Sequence, residues 1–577
     1  MDANDRSMHV ARIERRYKGK TYVTVLLRHS YREGNAVKHK TLANLSHLPV
    51  HIVDLVRRSL QGEAFAAAKD IFTITESKAH GHVQAVLGTI RKIGLDTLLA
   101  AKPSRERDLV VAMIAERILF PCSKLAATRH WLGTTLAEDL GVADAKIDEL
   151  YEAMDWLLKR QEAIEQKLAA RHLTERGLVL YDVSSSFYEG HTCPLAKHGH
   201  SRDGKKGLPI IVYGLMTDAD GRPVAVDVYP GNTADPTTVP DQVGKIRGRF
   251  GLERIVLVGD RGMLTETQIT HLKEHPGLGW ISALRSPAIR HLMDDKYLQR
   301  SLFDKVNLAE ITSPAFPGER LIACYNPLLA EERGRKRQEL LAKTEEKLTK
   351  LANEVARRTE KPLTQADIGL KAGPLLKRWK MAKHFQLTIA DGVFRWQRRK
   401  AAITKETQLD GIYVIRTSEP KKRLSAADSV RGYKRLAQVE RAFRCFKGVD
   451  LMVRPIYHHI EPRVRAHILL CMLAYYVEWH LRKAWTPLLF ADEELEEDRG
   501  QRDPVDPAKC SKSAKEKKAT RANSEGREVH SFRTLLSALS TLCRNTCTIN
   551  SVEAPSSFKQ LTEPNSLQQE ALRLLEL

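Results

Sequence analysis

The chain has 577 residues, 42% of them hydrophobic and 28% charged, which excludes a disordered or membrane-embedded protein and leaves room for several domains. Its 93 lysines and arginines against 71 aspartates and glutamates give a net charge of +22, so a polyanionic partner, nucleic acid first, is expected. Eight scattered cysteines without a C-x-x-C pair exclude a disulfide scaffold and offer no zinc site, which fits a reduced cytosolic protein.

The start, "MDANDRSMHVARIERRYKGK", is charged from its second residue and has no apolar signal region. The most apolar run, 466–477, is too short to cross a bilayer, so no membrane partner is expected. Residues 1–50 read as β structure, with two strand-like runs around Glu33-Gly34-Asn35 and basic residues on both arms. Residues 51–172 read as helical, interrupted at Pro121, with one long amphipathic helix over 145–173.

At residue 177 the texture changes. "GLVLYDVSSSFYE", "LPIIVYGLMTD" and "RPVAVDVYP" are three strand-like runs, the last two joined by an Asp220-Gly221 hairpin signal. A helix over 236–249, the strand "RIVLVGDRGM", a second helix and the strand "LGWISALR" follow, so that 173–289 reads β-β-β-α-β-α-β. Residues 290–420 read as an insertion. Its charged helix repeats Leu341, Leu348 and Val355 every seven positions, a pattern for a dimer contact or for packing within its own domain. An apolar helix over 461–485 closes a second segment, 421–485, and 486–577 reads as a charged linker with a helical tail.

Three acids stand out. Asp182 follows the apolar strand "LVLY" and Asp260 ends "IVLVG". Glu440 lies in "YKRLAQVERAFRCFK", where Tyr433, Glu440 and Lys447 sit seven residues apart and so share one helical stripe. Phosphoryl transfer on two metal ions needs several carboxylates held on rigid elements, and hard divalent cations take oxygen ligands. Singly, each acid also suits a turn, a cap or a solvated helix face. Their joint placement favours the metal site.

That order of acids, with a helix reading Tyr…Glu…Lys, resembles the DDE transposases of bacterial insertion sequences, in the branch whose last acid lies in a Y-R-E-K motif. "YDVSSSFYE", "GNTADPTT" and "VGDRGM" resemble that family's segments around the first two acids, with Ser184 where Thr is usual. Leu436 stands where the motif has Arg, and Arg444, one turn beyond Glu440, is the candidate replacement. The likeness covers about 177–480.

The resemblance implies a mixed α/β, ribonuclease H-like catalytic domain, with a mixed five-stranded sheet and helices. A β-rich insertion would interrupt it, and an N-terminal β-hairpin and helical DNA-binding region would precede it. It implies catalytic and metal-holding roles for Asp182, Asp260 and Glu440, with two Mg²⁺ ions that Mn²⁺ can replace. The expected activity is cleavage of transposon ends and strand transfer into target DNA. DNA contacts are expected from Tyr433, Lys447, Arg444 and Arg261, from Trp396 by stacking on a flipped base, and from Lys38 and Lys40 in the N-terminal region. Expected partners are the terminal repeats, target DNA and a second copy of the chain, in a nucleoid-associated cytoplasmic protein. A DNA-binding protein or relic without chemistry, and a nuclease that cuts without joining, are the alternatives.

Overall fold

The computed structural model describes residues 8–63, 65, 72–205, 207–549 and 556–577. The first seven residues, part of the stretch read as lacking a signal region, lie outside them. The chain divides into two units, 1–77 with 544–561, and 78–543 with 562–577.

In the first unit β1 (Met8–Tyr17), β2 (Lys20–Glu33) and β3 (Ala36–Asn44) form an antiparallel meander, one strand more than the expected hairpin. The extra turn falls at Lys18 and Gly19, both at positive φ, where glycine is at ease. Helix α1 (Val50–Leu60) follows. β4 (Phe72–Ala79) then interrupts the stretch read as wholly helical and joins a sheet with β15 (Cys543–Ile549) and β16 (Ser556–Leu561) from near the C-terminus.

The second unit begins with helices, among them α2 (Gly81–Lys92), α3 (Arg105–Leu119), α4 (Ile147–Leu158) and α5 (Gln161–His172). The single helix expected over 145–173 is therefore two, broken at Lys159-Arg160. Buried Glu165 of α5 forms ion pairs with Lys245 and Arg249, which ties this region to the helical stretch at 235–249.

The central sheet has eight strands rather than five. β5 (Leu178–Phe187), β6 (Ile210–Thr217) and β7 (Pro223–Pro230) are antiparallel neighbours, and β8 (Ile255–Val258) and β9 (Leu278–Ala283) run parallel to β5 on its other side. Three strands of the expected insertion, β10 (Leu308–Ile311), β11 (Arg320–Tyr325) and β14 (Ile412–Thr417), extend it in the order β10-β11-β14-β9-β8-β5-β6-β7. What projects between β11 and β14 is an arm: α6 (Pro327–Arg357), α7 (Gln365–Arg378) and the hairpin β12 (Phe385–Ala390) and β13 (Val393–Arg398). Leu341, Leu348 and Val355 are buried inside the arm's own core with Ile368, Phe385 and Phe394, which accounts for their seven-residue repeat without a second chain.

The expected helical stripe of Tyr433, Glu440 and Lys447 is also split. α8 (Ala426–Lys434) and α9 (Leu436–Lys447) meet at Arg435, whose N–H bonds back to Arg431 and Gly432 in a tightened turn. Val439, Ala442, Phe443 and Phe446 of α9 are buried over β5 and β6, with the Tyr213 ring 5.8 Å from Phe443 and 6.5 Å from Phe446. α10 (Glu461–Ala484), apolar on nearly every face, is sunk in the core. The stretch 492–528, expected as a linker, folds into short helices at Leu495–Gln501 and Lys512–Thr520. Arg431 and Lys434 of α8 donate to its carbonyls at Arg499, Gly500, Arg502, Val505 and Asp506. Side chains from elsewhere thus hold a segment poor in apolar residues.

Candidate active site

Two acids are placed by strand register. In the parallel pair β5/β8, Leu180 lies opposite Val258, and Asp182 and Asp260 each stand two residues beyond that pair. Neighbouring strands run about 4.8 Å apart, and Asp260, in the turn just past β8, is near enough to raise the proton affinity of Asp182 on β5. Side chains two apart on a strand share a face, and that of Asp182 is the one α9 covers: Ser184 lies opposite Tyr213, and Ser186 shares a hydrogen bond with the Tyr213 hydroxyl at 2.9 Å. Glu440 projects from the exposed edge of α9, beside its buried stripe.

Asp260 and Glu440 both act on Asp182. Burial, reinforced by Asp260 and Glu440 and opposed by the Val183 N–H and Arg202, pushes Asp182 up to about 7. Half-buried Tyr433, at the end of α8, is pushed up to about 12 by burial and by the negative charge of Asp260, Glu440 and Asp182, against Arg261. The sequence-expected acids and Tyr433 therefore converge, although a helix break lies between Tyr433 and Glu440.

Local bonds set each group. Asp260 Oδ1 accepts from the N–H groups of Gly262 and Met263, both at 2.8 Å, in a closed turn. Arg285 donates to the carbonyls of Arg261 (3.1 Å) and Gly262 (3.4 Å), bracing that turn from outside. Arg202, hydrogen-bonded through its N–H to Ser185 and paired with Asp235, stands beside Asp182. The start of α9 is held by Arg435, which donates to the Ala219 carbonyl (2.9 Å) and to Asp220 (3.1 Å) in the β6–β7 turn. Gly221 of that turn has φ +84° and sits so close that a Cβ would be 2.8 Å from that of Gln438. Arg202 and Arg285 lie in loops and carry no periodic signal in the sequence, while Arg435, five residues before Glu440, is expected on the far side of an unbroken helix and is brought to the β6–β7 turn by the break there.

The other expected contacts are dispersed. Arg261 and Arg444 are exposed. Lys447 is half-buried and paired with Asp203 at 3.0 Å, which also holds Arg454 at 2.6 Å. Trp396 packs edge-on against Phe385, centroids 5.9 Å apart, within the arm's core. Lys38 pairs with Glu33 on the first unit's meander, and Lys40 is exposed there.

Asp182, whose proton affinity Asp260 and Glu440 raise, forms with them a set of hard carboxylates that suits divalent cations. They stand further apart than a compact single-ion cluster. Among the described residues, the group of three whose ligand atoms all lie within 4.8 Å is instead Cys445, Asp450 and Glu478. There Arg482 already bonds both carboxylates, at 2.6 and 2.9 Å.

Residues 187–477 match the family described as transposase DDE domain, about half of the chain. Residues 10–68 match the IS1634 family transposase, N-terminal domain. The chain is an insertion-sequence DDE transposase. It is a DNA strand-transfer enzyme of a class that depends on divalent metal ions. No match is found among curated proteins. Among solved structures, the transposase is similar to a piggyBac transposase synaptic complex with hairpin DNA. The identity is 11%, over 76% of this chain and 86% of that one, with a TM-score of 0.26, too low to carry the fold across. Among the described residues, no helix of the transposase is long and apolar enough to cross a membrane.

Proposed function

We propose that Asp182, Asp260 and Glu440 are the catalytic acids of the transposase, holding two Mg²⁺ ions on a ribonuclease H-like core made of β5 to β9. The observation that carries this is that Asp182 on β5 and Asp260 just past the end of parallel β8 each stand two residues beyond the paired Leu180 and Val258, with Asp260 and Glu440 near enough to raise the proton affinity of Asp182. When bound, the cations supply a water of lowered pKa and a Lewis acid for the leaving oxygen, and Mn²⁺ can serve in their place.

The protein's part is positioning. Asp182, on which both other acids act, would hold the cations together with Asp260 and Glu440. The closed turn fixes Asp260, and α9 presents Glu440 from above the sheet. Tyr433, kept protonated, is a hydrogen-bond donor for a phosphate oxygen, and the exposed Arg261 and Arg444 add charge beside it. Lys447, tied to Asp203, acts on the strand only if that pair opens. Trp396 would have to leave the arm's core to stack on a base. The placement of Tyr433, Glu440 and Lys447 favours the Y-R-E-K branch, with Leu436 a departure. Lys38, Lys40 and the helices of 51–172 are assigned to end DNA, and two copies to the active complex of a nucleoid-associated protein.

The test is a duplex carrying the element's terminal repeat, incubated with Mg²⁺ and a target plasmid. Wild type should cleave and then join. Asp182→Ala, Asp260→Ala and Glu440→Ala should each lose both steps by at least about 10³-fold while still binding the duplex. Normal cleavage by any of the three removes that residue from the site.

A further inference from the structure

We propose that the outer face of the β12–β13 hairpin is a sequence-reading ribbon that lies in the major groove of the transposon end. The hairpin is paired with no other strand among the described residues. Its inner face is fixed: Phe385 and Phe394 are buried and Leu387, Ile389 and Trp396 half-buried against α6 and α7. The outer face is free. Gln386 lies opposite Gln397 and Thr388 opposite Arg395, all four exposed. The two glutamines hold each other at 3.1 Å, and Arg395 has no ion pair among the described residues.

These are the side-chain types that read base edges: glutamine on adenine, arginine on guanine, threonine on either or against a thymine methyl. A face meant only to be wet has no need to leave out lysine and glutamate, the commonest solvated pair. Here all the strand positions facing out are neutral but for one arginine, flanked by Arg399 and Lys400 just past β13. The dimensions agree. A two-stranded ribbon fits a groove about 12 Å wide, and side chains two apart on a strand advance about 6.8 Å, the rise of two base pairs. The arm supplies the charge, since residues 327–407 hold 20 lysines and arginines against 10 aspartates and glutamates. Packed helices behind the hairpin keep it rigid, as a reader must be.

This rests on the chain being a transposase and not on the metal site, so it is tested by binding in EDTA with the full chain. The affinities to compare are for a terminal-repeat duplex and for a scrambled duplex of equal length, at one salt concentration. Combining Gln386→Ala, Arg395→Ala and Gln397→Ala on the exposed face should lower the ratio of the two affinities about 10-fold or more and leave scrambled binding within about 2-fold. Arg399→Ala with Lys400→Ala should instead weaken both duplexes alike. Replacing guanine by 7-deazaguanine in the repeat should weaken wild type and leave the triple variant unaffected. An unchanged ratio, an equal loss on both duplexes, or a defect confined to target capture would each overturn the proposal.

Discussion

At the residue scale the site's central feature is Asp182. Its proton affinity in the folded chain lies well above the ordinary aspartate value of 3.8, at about 7. Between those two values the folded state keeps a proton that the unfolded state has lost, so stability falls as pH rises through the window and the full cost is present above pH 7. Asp182→Asn carries no such cost. It should melt higher than wild type at pH 8, by about 1–3 kcal/mol, while losing activity; a thermal scan at pH 8 and pH 5 checks this, with the difference shrinking at pH 5. The same proton must leave before a cation can bind. Mn²⁺ affinity, followed by titration calorimetry, should therefore drop below pH 7 and show proton release in buffers of different ionisation enthalpy. Arg285 makes a narrower case. Arg285→Ala leaves the Asp260 turn intact in sequence but unbraced, and cleavage should slow about 10- to 100-fold with little change in melting temperature.

Among the elements, α9 decides whether a third acid reaches the site. Its anchors are Phe443 and Phe446 on Tyr213, and Phe446→Ala should cost about 3–5 kcal/mol in urea unfolding. Gly221→Ala combines a left-handed backbone with a collision against Gln438 and should lower both stability and cleavage. Much of this level was legible in the residues. β5, β8 and β9 are short apolar runs bounded by polar turns, and the apolar stripe of α9 is plain from its spacing. What stayed hidden is of two kinds. Breaks at Lys159-Arg160 and Arg435 leave the helical period almost untouched, so a pattern reads across them. Pairings such as Lys447 with Asp203, or α8 with the carbonyls of 499–506, join residues far apart in sequence and leave no local trace. The stretch 492–528 looked unfolded for that reason: its order comes from side chains elsewhere.

At the scale of the whole molecule, one unit of the transposase carries the three-stranded meander and the other carries the eight-stranded sheet and the arm. The number of strands in the sheet was beyond the sequence, because β10, β11 and β14 carry the same apolar signature whether they pair with the sheet or with each other. With a net charge of +22, binding to a terminal-repeat duplex should weaken about 10³-fold or more between about 50 and 200 mM salt, a loss that filter binding can follow. Chelation should leave that binding in place while stopping cleavage.

The parallel register of β5 and β8 also sets which changes in chain length the enzyme survives. Between β11 and β14 the chain carries the arm and no strand of the central sheet, so a change of length within the arm leaves the register of β5 and β8 as it is. Inserting one residue between Leu178 and Asp182, by contrast, would turn the first acid to the far side of the sheet. Length can therefore vary within the arm, while the strand before the first acid keeps a fixed count.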